Sequence, residues 1–109
     1  MDEAAFNVLA EAELTRIEQA LEAFDDDIEL EVQPGGVLEL EFVNGSKVVI
    51  NRHTAAREIW VAAKSGGFHF RPESGKWLGT RDGVELYAAL GRIFSEQAGR
   101  NIDLSAGDE

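Results

Sequence analysis

Apolar residues recur along residues 3–24 at steps of three and four: Phe6, Leu9, Ala10, Leu14, Ile17, Leu21 and Phe24. That spacing places one buried stripe on a helix. Glu13 falls inside the apolar arc, and the pattern offers it only an escape to water near a helix end. Glu11, Glu18, Glu22 and Asp25 share a neighbouring strip. From residue 28 the period drops to two. Ile28, Leu30 and Val32 alternate with Glu29, Glu31 and Gln33, which predicts a half-buried strand with its acids outward. Pro34-Gly35-Gly36 is a turn, and a second strand over 37–43 alternates Leu38, Leu40 and Phe42 against Glu39 and Glu41. Asn44-Gly45 is a strong hairpin signal, returning the chain as a third strand over 46–52.

Further on, Ile59 to Ala63 reads as a fourth strand and Ser65-Gly66-Gly67 as a turn. Phe68-His69-Phe70 is a brief strand, 71–75 a loop, and Lys76-Trp77-Leu78 another short strand closed by Arg81-Asp82-Gly83. Residues 84–97 predict a second helix, with Leu86, Tyr87, Leu90, Ile93 and Phe94 as its apolar stripe. The segment from Gly99 is polar and is expected to fray. Strands grouped between two helices indicate an α+β fold. The expected form is a two-layer α/β sandwich, with both terminal helices on one face of an antiparallel sheet. The other face is then left to solvent or a partner.

The length of 109 residues fits one domain, and 44% hydrophobic residues suffice for a core. Without cysteine the chain cannot form a disulfide, a zinc–thiolate site or a thiol nucleophile. No apolar run approaches the roughly 20 residues that span a bilayer. The start, Met1-Asp2-Glu3, is acidic where a secretory or organellar leader is basic, so a cytoplasmic location is expected.

Charge changes the picture most. The net charge is −11. Residues 1–31 hold eleven acids and one base, Arg16, for −10; residues 32–109 hold ten acids and nine bases, for −1. So steep a gradient makes an oriented field for cations or a basic partner, and it argues against nucleic acid. Glu18, Glu22, Asp25, Asp26 and Asp27 end the first helix, and Glu29 and Glu31 continue on the next strand. Exposed acids at the negative end of a helix dipole cost about 0.3–1 kcal/mol each. A chain shaped for stability alone would carry lysine or arginine there. Carboxylates select hard cations, but residues 25–29 lack the spacing and central glycine of an EF-hand loop. An open row binds weakly and with adaptable stoichiometry. The same row suits an arginine-rich surface.

Elsewhere the chemistry is sparse. Neither His53 nor His69 forms a helical ligand pair with the acids, and no serine sits in a nucleophile-elbow pattern. His69, between Phe68 and Phe70, points away from whatever they bury. If Ile59 and Val61 face the helices, Trp60 faces the open side of the sheet. There it is either a binding anchor or partly covered by neighbours such as Arg52.

Three segments carry a resemblance: Pro-Gly-Gly-Val-Leu at 34–38, Phe-Val-Asn-Gly-Ser-Lys-Val-Val-Ile-Asn-Arg at 42–52, and Ile-Trp-Val-Ala-Ala-Lys-Ser-Gly-Gly-Phe-His-Phe at 59–70. Together with the acidic first helix and the Lys76-Trp77 segment, they resemble the bacterial frataxin (CyaY) family over residues 3–98. The resemblance implies a sandwich of two helices on one antiparallel sheet. It implies weak binding of iron, Fe(II) or Fe(III), through a ridge falling on Glu18, Glu22, Asp25, Asp26, Asp27, Glu29 and Glu31. It also implies partners in iron–sulfur cluster assembly, the cysteine desulfurase and the scaffold protein, with contact on the open sheet face at Asn51, Arg52 and Trp60. A monomer that associates when iron is present is the expected state. Gln19 and Ala23 stand where the family commonly carries acids, which lowers the expected iron capacity. The loop after Asp27 is one residue shorter. His53-Thr54-Ala55 replaces the family's Gln-x-Pro, which puts a titratable group beside the partner contact.

Three readings compete. One is an iron donor or desulfurase regulator. Another is an acidic docking module with incidental metal binding, including other divalent cations. The third, a ferroxidase, needs a two-metal cage that an open carboxylate row does not supply.

Overall fold

Asp2 starts the first helix. Its Oδ1 accepts from the Ala5 amide at 2.8 Å, satisfying one of the free N–H groups of the first turn. In the computed structural model, which describes residues 1–104, helix α1 runs Glu3–Leu21 and tightens into a 3-10 turn over Glu22–Phe24. Six strands follow: β1 Ile28–Gln33, β2 Val37–Phe42, β3 Lys47–His53, β4 Glu58–Ala63, β5 Gly66–Glu73 and β6 Lys76–Gly79. Helix α2, Leu86–Ala98, closes the order. The strands pair in sequence order, all antiparallel, so short hairpins make the whole sheet.

Both helices lie on one face of this sheet. Phe6, Leu14 and Ile17 of α1 and Leu90, Ile93 and Phe94 of α2 are buried against Leu38, Leu40, Ile50, Ile59 and Phe70. The expected α+β sandwich is present. Leu9, expected in the buried stripe, is 43% exposed because it lies at the edge of the arc. The loop expected at 71–75 shrinks to a two-residue turn at Ser74-Gly75, and β5 runs through Pro72 beside the edge strand β6.

Glu13 occupies the inner position instead of Leu9, only 8% exposed. Its carboxylate is paired within the protein and is not turned out to solvent. Its Oε2 accepts the Tyr87 hydroxyl of α2, and Arg16 Nη1 lies 3.7 Å from its Oε1. A carboxylate on α1 is thus linked to a hydroxyl on α2. Tyr87→Phe removes the donor and keeps the ring. It is expected to lower stability by about 1–3 kcal/mol, the cost of an under-bonded buried polar group, read as a lower midpoint in urea.

The segment after α2 corrects another expectation. Residues 99–104 do not fray. Gly99 caps α2 with φ 72°, and the chain then folds back across the helix. Ser95 Oγ accepts the Ile102 amide at 2.8 Å and donates to the Ile102 carbonyl at 3.2 Å. The return passes over Gly91, where a Cβ would sit 3.4 Å from the Ile102 carbonyl oxygen, an ordinary contact distance. Ile102 and Leu104 end up 2% and 1% exposed. The rest of the predicted tail, 105–109, lies outside the described residues.

The Asn44-Gly45 hairpin is tied to the end of α2. Asn44 Nδ2 donates to the Gln97 carbonyl at 2.7 Å, and the buried Gln97 side chain accepts from the Lys64 amide and donates to Ser46 Oγ. The Asn-Gly-Ser-Lys segment is therefore structural, fixing the β2–β3 turn against helix and β4.

Candidate functional site

The hairpin of β1 and β2 places like charges opposite one another. Glu29 pairs in register with Glu41, and Glu31 with Glu39. Alternation sends all four side chains to the sheet face that carries no helix, where they form a two-by-two array, and Lys47 stands opposite Glu41 on β3. Directly opposed like charges are destabilising. Glu39 and Glu41 were not in the ridge read from the sequence. The signal was available, since a three-residue turn at 34–36 sets this register.

The remaining ridge acids lie around the edge strand. Glu18 of α1 is half-buried, Glu22 is exposed, and Asp25 and Asp26 are exposed in the turn leading to β1. Asp27 is held: Arg100 Nη1 lies 3.2 Å from each of its carboxylate oxygens, and its side chain is only 20% exposed. No basic residue occupies the last turn of α1, so nothing there offsets the dipole. The acids thus wrap both sides of β1, with α1 and its turn on one side and the glutamates on the other. Among the described residues, no three acidic or histidine side chains gather closely enough to hold one ion.

The second patch is the middle of the open face. Along β3 the side chains of Val48, Ile50 and Arg52 point to the helices, and Val49, Asn51 and His53 point away. Arg52 therefore does not join Asn51 and Trp60 on the open face, as the resemblance implied. Its guanidinium lies under the helix layer, 18% exposed, paired with Glu11 of α1. It also runs beneath the β1–β2 turn. A Cβ on Gly36 would come within 3.0 Å of Arg52, and Gly36 has φ 79°, so glycine is required there twice over. Asn51 and Trp60 are opposite one another on the open face, with His69 next in the row. Trp60 is covered by His53 and His69, stacked on its two sides, rather than by Arg52.

A family model for the frataxin-like domain matches residues 1–100. The chain belongs to the frataxin-like family. Among curated frataxin-like relatives, an iron–sulfur cluster assembly protein CyaY from Dechloromonas aromatica is 54% identical over 104 residues, covering 95% of this chain and 99% of that protein. The CyaY of Cupriavidus taiwanensis is 50% identical, covering 94% and 95%. Of solved structures, the frataxin of Psychromonas ingrahamii superposes with a TM-score of 0.86 at 31% identity over 95% of this chain and 98% of that one. A trimeric yeast frataxin complexed with ferrous iron gives 0.71 at 29% identity, covering 82% and 83%. The frataxin fold thus brings the acidic edge and the Trp60 patch onto one continuous surface, running from β1 across the open face to β5. No helix among the described residues is long and apolar enough to cross a membrane.

Proposed function

We propose that this chain serves iron–sulfur cluster assembly, carrying iron loosely on the acidic edge and docking a basic partner through that edge and the adjoining open face. The opposed glutamates of β1 and β2 carry this reading. They cost stability, and Lys47 is the only base set opposite them in the sheet register. Such an array is compensated by a cation from outside. Support comes from the name shared by the curated relatives and from the ferrous complex of the yeast neighbour.

The iron is cargo, ferrous or ferric, held by one or two carboxylates at a time. Glu18, Glu22, Asp25, Asp26, Asp27, Glu29 and Glu31 supply them, with Glu39 and Glu41 added. Manganese and magnesium would compete at the same oxygens. The partners in this reading are the cysteine desulfurase, as the basic surface, and the scaffold protein, with Asn51 and Trp60 at the contact. The chain acts as donor or regulator and performs no reaction of its own. Iron neutralises the edge and so favours self-association.

The spread of the acids favours a second reading, in which docking is the function and iron is incidental. Added ferrous iron then leaves partner affinity unchanged while added salt weakens it.

An anaerobic ferrous titration followed by amide NMR tests the proposal. Paramagnetic broadening is expected over residues 18–31 and 39–41. Substituting Asp25, Asp26 and Asp27 together with asparagine should weaken it strongly around 25–27. Sharp, unshifted amides throughout would remove iron and leave the docking reading.

A further inference from the structure

Trp60 has both ring faces occupied. The His53 ring centroid lies 3.7 Å from that of Trp60 with an interplanar angle of 13°, and the His69 ring lies 4.4 Å away at 9° on the other side. The indole Nε1 donates to Glu58 Oε1 at 2.7 Å. That same oxygen is 3.5 Å from His69 Nδ1, and Glu58 Oε2 is 3.8 Å from Arg71 Nη2. The Glu58 side chain is only 14% exposed. An aromatic face beside a sheltered carboxylate is what a guanidinium recognises: it stacks on the ring and donates its N–H groups to the oxygens. His69 occupies that place, stacking on Trp60 and reaching Glu58.

We propose that Trp60 and Glu58 form an arginine-receiving site, closed by His69 and His53 when these are protonated and open when they are neutral. The inference rests on the docking reading above and names the side chain the basic partner would insert. Imidazole changes charge between pH 5 and 8. Charged, His69 gains a cation–π contact with the indole and a charge-assisted hydrogen bond to Glu58. Charged His53 gains the same contact on the opposite face. Its Nδ1 then gives up the 3.3 Å bond from the Ala56 amide, an exposed residue whose N–H turns to water. Neutral imidazoles hold the indole by dispersion alone, and a permanently charged guanidinium displaces His69. The other charge facing the site is Arg71 on β5; Arg81 donates to the Gly67 carbonyl, Asp82 Oδ1 accepts the Val84 amide, and Arg92 belongs to α2 on the opposite face of the sheet. Arg57 follows His53 in the chain, directed to the Thr54 carbonyl. Guanidinium and carboxylate groups as a class change charge outside the range of pH 5 to 8, and imidazole within it, so the histidines supply the switch.

The probe is the tripeptide amide Gly-Arg-Gly, with Gly-Lys-Gly as its non-stacking counterpart, added to the full chain. The readout is the indole Nε1–H cross-peak of Trp60, assigned with Trp60→Phe. At pH 7.5 the arginine peptide should shift this peak and the lysine peptide should shift it far less. Between pH 7.5 and 5.5 the neutral fraction of an ordinary imidazole falls about tenfold, and the arginine peptide's affinity should fall about as much. His69→Gln should retain binding at pH 5.5, and Glu58→Gln should weaken binding at both values. Equal affinity at the two pH values, or equal response to the two peptides, overturns the proposal. So does a pH dependence untouched by His69→Gln. The asparagine variant at 25–27 should keep the Trp60 response, so failure here and failure of the ridge are separate results.

Discussion

Ile102→Ala and Leu104→Ala are each expected to cost about 2–5 kcal/mol, the range for truncating a large aliphatic side chain in a core. Both residues lie beyond the second helix, in a segment that looks dispensable, yet both are almost fully buried. For a domain of this size each kcal/mol lowers Tm by about 4–8 °C, so either variant should melt at least roughly 10 °C lower. Total stability of such domains is about 5–15 kcal/mol. The double variant should therefore lose most of its stability margin and melt well below either single variant. Calorimetry of the single variants checks the first figure, and circular dichroism of the double variant checks the second. The loss should be cooperative over the whole fold, because the two side chains join the same core as the helices and sheet. Melting temperatures within a degree or two of the parent would mean that the return of the chain over α2 contributes nothing.

Replacing Glu29, Glu31, Glu39 and Glu41 with glutamine should raise stability while impairing function. Each directly opposed pair of like charges costs about 0.2–1 kcal/mol, so relief of both should raise Tm by several degrees at low salt. The gain should shrink in 1 M salt, where screening acts within about 3 Å. The same variant should lose most ferrous-ion broadening on the sheet face and weaken association with a basic partner at least tenfold. An equally stable variant with unchanged iron and partner binding would show that the array is neither strained nor used. Opposite signs for stability and binding are the signature of a surface shaped for an external cation.

Much of the fold was legible because its signals are local. Period two between 28 and 43 is a property of adjacent residues, and the turn chemistry at 34–36 and 44–45 fixes antiparallel neighbours. Strand β1 was read to the residue. The inward set on α1 was legible except at Leu9 and Glu13, where side-chain identity alone misleads. Leucine at the margin of an arc remains wet, and a glutamate at its centre is tolerated once it has a partner.

The acidic edge was half legible. Its density along 18–31 is a fact of composition, but Glu39 and Glu41 join it only through the pairing of β1 with β2. The resemblance assigns both Asn51 and Arg52 to the open face, and the structure keeps only Asn51 there. In a strand they point oppositely. Parity would have separated them.

By itself, then, the sequence determined the α+β architecture, the hairpin order, the family and the charge gradient, since each depends on residues close together in the chain. Tertiary structure alone decided four things. These are the Tyr87–Glu13 link across 74 residues, the return of Ile102 and Leu104 into the core, the hold of Arg100 on Asp27, and the stacking of two imidazoles on Trp60. Each joins groups whose separation along the chain has no bearing on their separation in space. They meet because helices and sheet must bury their apolar faces together, and the polar groups carried inward must find partners when that burial is complete.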